Sequence, residues 1–375
     1  MDTLALRGRV VTEHEIWHEG TLVLEGSTIK AVSRDVADAD KTLEFPDSFL
    51  VPGFVDLQIN GAFGIDVVSK PERLKELSTR LVGTGTTAYL PTVISRPPEE
   101  YPNLLPRILP IADNEGAEPL GLHLEGPFLN PKKRGAHPEA HIAPVDVGAL
   151  VTMLDVAPVR MLTVAPELHG ADKAIRTAVS RGVVVSIGHS EATFAEAYEA
   201  MNSGGTAVTH LFNAMSPLHH RKPGLPGAAF AHPRVACGII ADGQHVHPEV
   251  VDLAFRLLGP DRIYLITDAV AAAGMETGEF TLAGQHVLLD GVPHLASGAL
   301  AGSNLIMNEA LRNVMEFTGC TIVEAVRMAS FTPTRLIGEM ERRGRLAPRY
   351  QADIVALSQD LEVESVWIGG ERRLG

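Results

Sequence analysis

The apolar positions of this chain change rhythm along its length. Between Leu4 and Phe45 they form short runs, Leu4–Val11, Thr21–Glu25 and Ile29–Val32, broken at Gly20 and Gly26-Ser27, without a helical period. Such a stretch predicts a small sheet. From Phe49 the runs become continuous and strand-length, each followed by an amphipathic stretch, which predicts parallel strands joined by crossover helices. Eight runs qualify as strands: Val51–Ile59, Thr87–Val93, Gly121–Glu125, Met161–Ala165, Val183–Ile187, Ala207–His210, Val235–Ala241 and Ile263–Thr267. Helices are predicted over Glu72–Leu81, Tyr101–Ile111, Val145–Leu154, Ala171–Ser180, Glu191–Met201 and Pro248–Leu257, with Asn308–Phe317 and Ile322–Ala329 after the last strand.

Eight strand–helix alternations in one stretch fit a closed (β/α)8 TIM-like barrel better than an open sheet. Three connections are long, Phe128–Pro144, Phe212–Pro233 and Ala269–Ser303. All follow strands, so all lie on the face where such barrels carry their sites. Within the third, Phe280–Leu289, Asp290-Gly291 and Val292–Leu295 predict a hairpin with a tight turn. The chain ends in two further strands, Ala352–Leu357 and Ser365–Ile368. Residues 1–50 and 345–375 are therefore expected to pair into a small β-sandwich beside a barrel spanning 51–344.

Composition changes this picture little, but charge does. Of 375 residues, 45% are hydrophobic and 21% charged, which is ordinary globular usage and excludes disorder or a coiled coil as a global description. The net charge of −14 disfavours nucleic acid and anionic membranes, so an anionic small molecule would need positive charge gathered locally. His219-His220-Arg221-Lys222 is such a cluster, in a predicted site-face connection. Two cysteines, Cys237 and Cys320, cannot form a disulfide framework, the start lacks a basic leader, and no apolar run reaches membrane-span length. A cytoplasmic protein is expected.

Metal-ligating and acid/base side chains recur at the predicted strand ends: Gln58 and Asn60, Glu125, His189, His210 and Asp268. Singly, each is commonly a solvated or hydrogen-bonded residue. Their shared position is what points to chemistry, because a barrel directs its strand ends to one mouth. One carboxylate and two imidazoles suit zinc with an open position, and Asp268 beyond the eighth strand suits general-base work. Arg221 offers bidentate geometry for phosphate. His245, after the seventh strand, is read as functional, and His247, beside Pro248, as a helix cap.

Pro52-Gly53-Phe54-Val55-Asp56, the strand-end His189 and His210, Thr267-Asp268 and the closing Ala352-Asp353-Ile354-Val355 resemble the amidohydrolase superfamily. Within it, the run from Gly121 through Glu125-Gly126-Pro127-Phe128, Ile187-Gly188-His189-Ser190, the run from Thr209-His210 to Met215, and Leu300-Ala301-Gly302-Ser303 are similar to the N-acetylglucosamine-6-phosphate deacetylase family. The resemblance spans nearly the whole chain. It implies metal ligation by Glu125, His189 and His210, with Asp268 as catalytic acid/base and His137 contacting substrate and polarising its acetyl carbonyl. It further implies a sugar-phosphate site at Asn213, Ala214 and His245, a substrate loop at Leu300, Ala301 and Gly302, and a homodimer in which Arg221 reaches the neighbouring site.

One departure stands out: many superfamily members carry His-x-His on the first strand, and this chain has Gln58-Ile59-Asn60. Amides are poor zinc ligands, so one divalent ion is expected, with Gln58 and Asn60 as the remnant of a second position or as contacts to water. Zinc is the expected ion; Fe2+, Co2+ and Mn2+ suit the same donors. Alternatives are an amidohydrolase acting on N-acetylgalactosamine 6-phosphate or an N-acyl amino acid, or a non-catalytic sugar-phosphate binder. A dinucleotide enzyme is disfavoured, because no glycine-rich fingerprint follows the first barrel strand.

Overall fold

The computed structural model describes residues 2–112 and 114–375. Eight parallel strands form the body: Phe54–Ile59, Thr86–Ile94, Leu122–Glu125, Val159–Val164, Val184–Ile187, Gly205–Val208, Ala236–Ile239 and Ile263–Leu265. They pair in sequence order, first with second through seventh with eighth. The ring closes just beyond the eighth strand, where Ile59 bridges Ala269 and the Asp268 N–H donates to the Gln58 carbonyl at 2.9 Å. The expected barrel is therefore present, with the first strand beginning at Phe54.

Local sequence explains the helices around it. Over Leu74–Leu81 the buried positions are Leu74, Leu77, Ser78 and Leu81, one stripe at helical spacing facing the barrel wall. Thr193 with Glu196, and Thr321 with Glu324, form capping boxes that start the helices Phe194–Asn202 and Ile322–Val326. Each satisfies otherwise orphaned N–H groups, worth about 1 kcal/mol. His247 caps Pro248–Leu258 by accepting from the Glu249 N–H, as its place beside Pro248 suggests. Beneath the mouth, a buried polar chain crosses the barrel: His123 Nε2 to Thr163 Oγ1 at 2.8 Å, Thr163 to Thr209 at 2.7 Å, and Thr209 to Ser186 at 2.5 Å. Burial depresses the His123 imidazole to about 4, so it works there as a neutral hydrogen-bonding group.

Both termini enter one seven-stranded sheet: Glu371–Leu374, Val363–Ile368, Ile354–Leu357, Lys41–Pro52, Thr3–Val11, Ile16–Glu25 and Thr28–Ser33, in that order. Its far edge curls back onto the chain entering Ile354–Leu357, where Ile29 N–H donates to the Tyr350 carbonyl at 2.8 Å and Thr28 bridges Gln351. The fold-over encloses Leu6, Leu22, Ile29, Leu50, Ile354 and Trp367. Lys41–Pro52 runs past residue 50 and pairs Pro52 with Ile354, so Val51 and Pro52 belong to this sheet rather than to the first barrel strand.

Three other segments differ from their predicted form. Phe280–Leu289 is two strands, Gly278–Leu282 and Gln285–Leu289, turning at Ala283-Gly284 with Ala283 at φ 48°. A third strand, Pro293–Leu295, completes a small sheet over the barrel mouth. Gly224–Ala231 is helical despite Gly224, Pro226 and Gly227, which hid it; packing against Phe194–Asn202 outweighs its poor propensity. The last predicted helix continues through a π-type turn at Arg327–Phe331 to Leu336. Among the described residues, no helix is long and apolar enough to cross a membrane.

Candidate active site

Three of the singled-out residues sit where the chain leaves a strand in a left-handed turn: His189 at φ 48°, His210 at φ 29° and Asp268 at φ 49°. For residues with a side chain this backbone costs about 1–3 kcal/mol, so the surroundings must hold it. They do: His189 O accepts from Asn130 N at 3.0 Å, His210 O from Asn213 N at 2.9 Å, and Asp268 O from Ser303 N at 2.9 Å. The last contact requires Gly302, where a Cβ would lie 2.7 Å from the Asp268 carbonyl oxygen. The turns bring side chains from well-separated strands to one mouth.

There Glu125 Oε1 lies 3.0 Å from His189 Nε2 and 3.1 Å from His210 Nε2, and the two imidazole nitrogens are 3.0 Å apart. All three side chains are buried. His189 Nδ1 faces the Lys133 carbonyl at 2.7 Å. A carbonyl only accepts, so Nδ1 carries the proton and Nε2 presents a lone pair to the centre. His210 Nδ1 is buried with no hydrogen-bond partner among the described residues. Two imidazole nitrogens and a carboxylate oxygen this close fit a divalent cation between them, since ligands at about 2.0–2.2 Å from one zinc stand little more than 3 Å apart. Although burial pushes Glu125 up, the imidazoles of His137, His189 and His210 packed around it hold its carboxyl well below the ordinary value.

Asp268 faces the same mouth in the opposite electrostatic condition. Burial first, and the Glu125 charge second, push its carboxyl up to about 7. Separating two carboxylates in this way assigns one to permanent charge and the other to proton transfer. Gln58 and Asn60 hold Asp268 in place: Gln58 Nε2 donates to Glu125 Oε1 at 3.0 Å and Asp268 Oδ1 at 3.1 Å, and Asn60 Nδ2 donates to Asp268 Oδ1 at 2.7 Å. Both amides thus turn their N–H groups toward carboxylates.

His137 arrives from the long third connection. The Ser95 backbone N–H donates to its Nδ1 at 3.1 Å, with Ser95 Oγ 2.8 Å away. Nδ1 must accept, so Nε2 carries the proton and is directed toward Glu125 Oε2, 3.7 Å away. Burial and the neighbouring His189 depress His137 to about 4, which keeps it a neutral donor. Gly126 makes room, because a Cβ there would fall 2.3 Å from Ser95 Oγ.

These groups line a cavity of about 380 Å³ with Asn60, Asn213, Ala214, His245, Leu300 and Gly302. Gln58 stands behind it, and Ala301 is buried in an apolar cluster with Leu282 and Val287. Arg221 is exposed and does not line this cavity. Sequence reasoning missed Lys132 and Lys133, which line the mouth, and Ser95. It also missed Asp242, which accepts from His245 Nδ1 at 2.6 Å. A basic pair in a site-face loop was visible for the lysines; the Ser95 role arises only from tertiary geometry, and that of Asp242 from a turn spanning three residues.

Asp56, below the mouth, accepts from Thr267 Oγ1 at 2.5 Å and from Gln58 N at 3.1 Å. Burial raises its carboxyl from 3.8 to about 7. The folded state then binds the extra proton between those values, so this group's contribution to stability is full below the lower value and is lost as pH rises through the upper. Linkage limits the slope to about 1.4 kcal/mol per pH unit. Asp56→Asn is expected to flatten the loss of stability over that interval, measured by urea unfolding at pH 5 and 8; an unchanged slope would assign it elsewhere.

The sequence matches the Amidohydrolase family over residues 49–373. It is 38% identical over 383 residues to the Bos taurus protein named N-acetylglucosamine-6-phosphate deacetylase, covering 98% of this chain and 93% of that one. It is 36% identical over 379 residues to an Escherichia coli O157:H7 protein named N-acetylgalactosamine-6-phosphate deacetylase, covering 98% and 99%. A Mycobacterium smegmatis N-acetyl-D-glucosamine-6-phosphate deacetylase variant, solved with N-acetyl-D-glucosamine-6-phosphate, superposes with a TM-score of 0.94 at 32% identity over 100% of both chains. By sequence and by structure, the chain belongs to the amidohydrolase family.

Proposed function

We propose that the protein hydrolyses the acetamide of N-acetyl-D-glucosamine 6-phosphate to D-glucosamine 6-phosphate and acetate, within amino-sugar catabolism or recycling. The observation that carries this reading is the convergence of the Glu125–His189–His210 cluster, the Asp268 carboxyl and the His137 Nε2–H on one cavity. Glu125, His189 and His210 would hold a divalent cation, which would supply Lewis acidity for a carbonyl and would lower the pKa of water toward neutrality. Zinc suits this donor set best, with Fe2+, Co2+ and Mn2+ as alternatives. Because Gln58 and Asn60 direct N–H groups at carboxylates, one ion is favoured over two.

Asp268 accepts a proton from the attacking water and returns it to the amine nitrogen as the C–N bond breaks. His137 donates its Nε2–H to the oxygen that gains charge. Asn213, Ala214 and His245, with the Leu300, Ala301 and Gly302 segment, bind the sugar phosphate, and Asp242 fixes the His245 ring. The bovine and mycobacterial relatives support the glucosamine epimer, and the Escherichia coli relative supports N-acetylgalactosamine 6-phosphate as a second reading. Specificity constants measured side by side decide between them: a preference of tenfold or more for the glucosamine substrate is expected, and the reverse preference would transfer the assignment.

The same proposal covers a barrel unit that begins at Phe54 and runs to 344, with a terminal β unit from 1–52 and 345–375, a cytoplasmic location and a homodimer. Two buried free thiols, Cys237 and Cys320, suit a reducing compartment. The exposed His219–Lys222 turn stands outside its own chain's cavity, which suits Arg221 reaching a neighbouring site. Arg221→Ala is expected to raise KM for the phosphorylated substrate about 10–100-fold, the worth of one charge-assisted contact, with kcat nearly unchanged. Mixing Arg221→Ala with Asp268→Asn subunits should restore activity at low substrate that neither shows alone. An unaltered KM, or no restoration in a confirmed mixed dimer, contradicts this role.

A further inference from the structure

Glu167 lies just past the fourth barrel strand and takes no part in the site described above. Its carboxylate nevertheless joins the two segments that hold His189. Oε1 accepts from Asn130 Nδ2 at 2.8 Å and from the Glu191 backbone N–H at 2.6 Å, and Oε2 accepts from Ser190 Oγ at 2.7 Å. Ser190 and Glu191 are the residues immediately after His189 in its left-handed turn. Asn130 begins the turn whose last carbonyl, that of Lys133, receives His189 Nδ1–H: its side-chain oxygen accepts from Lys132 N at 2.9 Å and its carbonyl from Lys133 N at 2.8 Å. The Asn130 N–H also donates to the His189 carbonyl.

His189 is therefore gripped from both sides, by its backbone and by its Nδ1, and both grips meet at one carboxylate. We propose that Glu167 is a positioning residue that holds His189 Nε2 in register for metal ligation. The proposal rests on the reading of His189 as a ligand. Partners of this kind fix ring orientation and are worth about 10–100-fold in metal affinity. Glutamine in place of Glu167 keeps an oxygen for Asn130 and Glu191 and an amide for the Ser190 hydroxyl, so it should preserve the grip where alanine releases it.

The test measures zinc affinity by chelator competition on the purified full chain, alongside the thermal midpoint of the metal-free protein. Glu167→Ala is expected to weaken zinc binding about 10–100-fold, with Glu167→Gln within threefold of the wild type. Asn130→Ala, which cuts one arm and serves if Glu167→Ala fails to fold, should show a loss of the same order. The double variant should lose no more than the worse single one, because both act through the same ring. Retained affinity in Glu167→Ala and Asn130→Ala while His189→Ala loses it overturns the role of Glu167. Retained affinity in His189→Ala overturns the ligand reading instead.

Discussion

Asp268→Asn is expected to lower kcat by roughly 10³-fold while leaving the fold and the bound metal in place, within the range by which positioned acid–base groups accelerate reactions. The substitution is sterically mild. An asparagine carbonyl can keep the hydrogen bonds that Gln58 and Asn60 donate to Asp268 Oδ1, so the cradle survives. What disappears is a group able to accept a proton and release it, at the position where burial and the Glu125 charge have raised a carboxyl to about 7. Turnover of the metal-loaded variant, with metal content measured on the same sample, checks this. Wild-type turnover with full metal occupancy would remove Asp268 from proton transfer.

Removing the metal should have an effect at least as large. Two imidazole nitrogens and a carboxylate oxygen about 3 Å apart are the donors such an ion would draw together. Chelation is expected to cut acetate release by roughly 10³-fold or more, corresponding to the several kcal/mol that a Lewis acid contributes to a transition state. One equivalent of zinc per chain should restore it and raise the thermal midpoint, since a ligand bound only to the native state stabilises it. Full activity after exhaustive chelation would contradict the metal reading, and a requirement for two equivalents would contradict the part given to Gln58 and Asn60. Glu125→Ala should leave zinc binding too weak to survive desalting.

The barrel was legible because its strands are buried on both faces and read as uninterrupted apolar runs, such as Thr87–Val93 within the fully buried Thr86–Ile94. The cluster was legible because strand ends converge by geometry, so Glu125, His189, His210 and Asp268 could be associated from position alone. What escaped were contacts and turns set by three-dimensional geometry, some distant in sequence and some local. Ser95 fixes the His137 tautomer from the end of another strand, and Asp242 fixes His245 through a turn whose acceptor is three residues away. The helix Gly224–Ala231 hid behind its glycines and proline, and the Ala283-Gly284 turn behind a continuous β-like run. Gln58 and Asn60 stood out as departures from a ligand motif, but their partners, both carboxylates, are visible only in three dimensions.

The proposed hydrolysis is tested most directly by acetate release from N-acetylglucosamine 6-phosphate by the purified zinc-loaded protein, with unphosphorylated N-acetylglucosamine alongside. It predicts acetate and glucosamine 6-phosphate in equal amounts, with a specificity constant at least about 10-fold higher for the phosphorylated sugar, the scale of one charge-assisted contact to phosphate. Stoichiometric metal with no acetate from either sugar would contradict it.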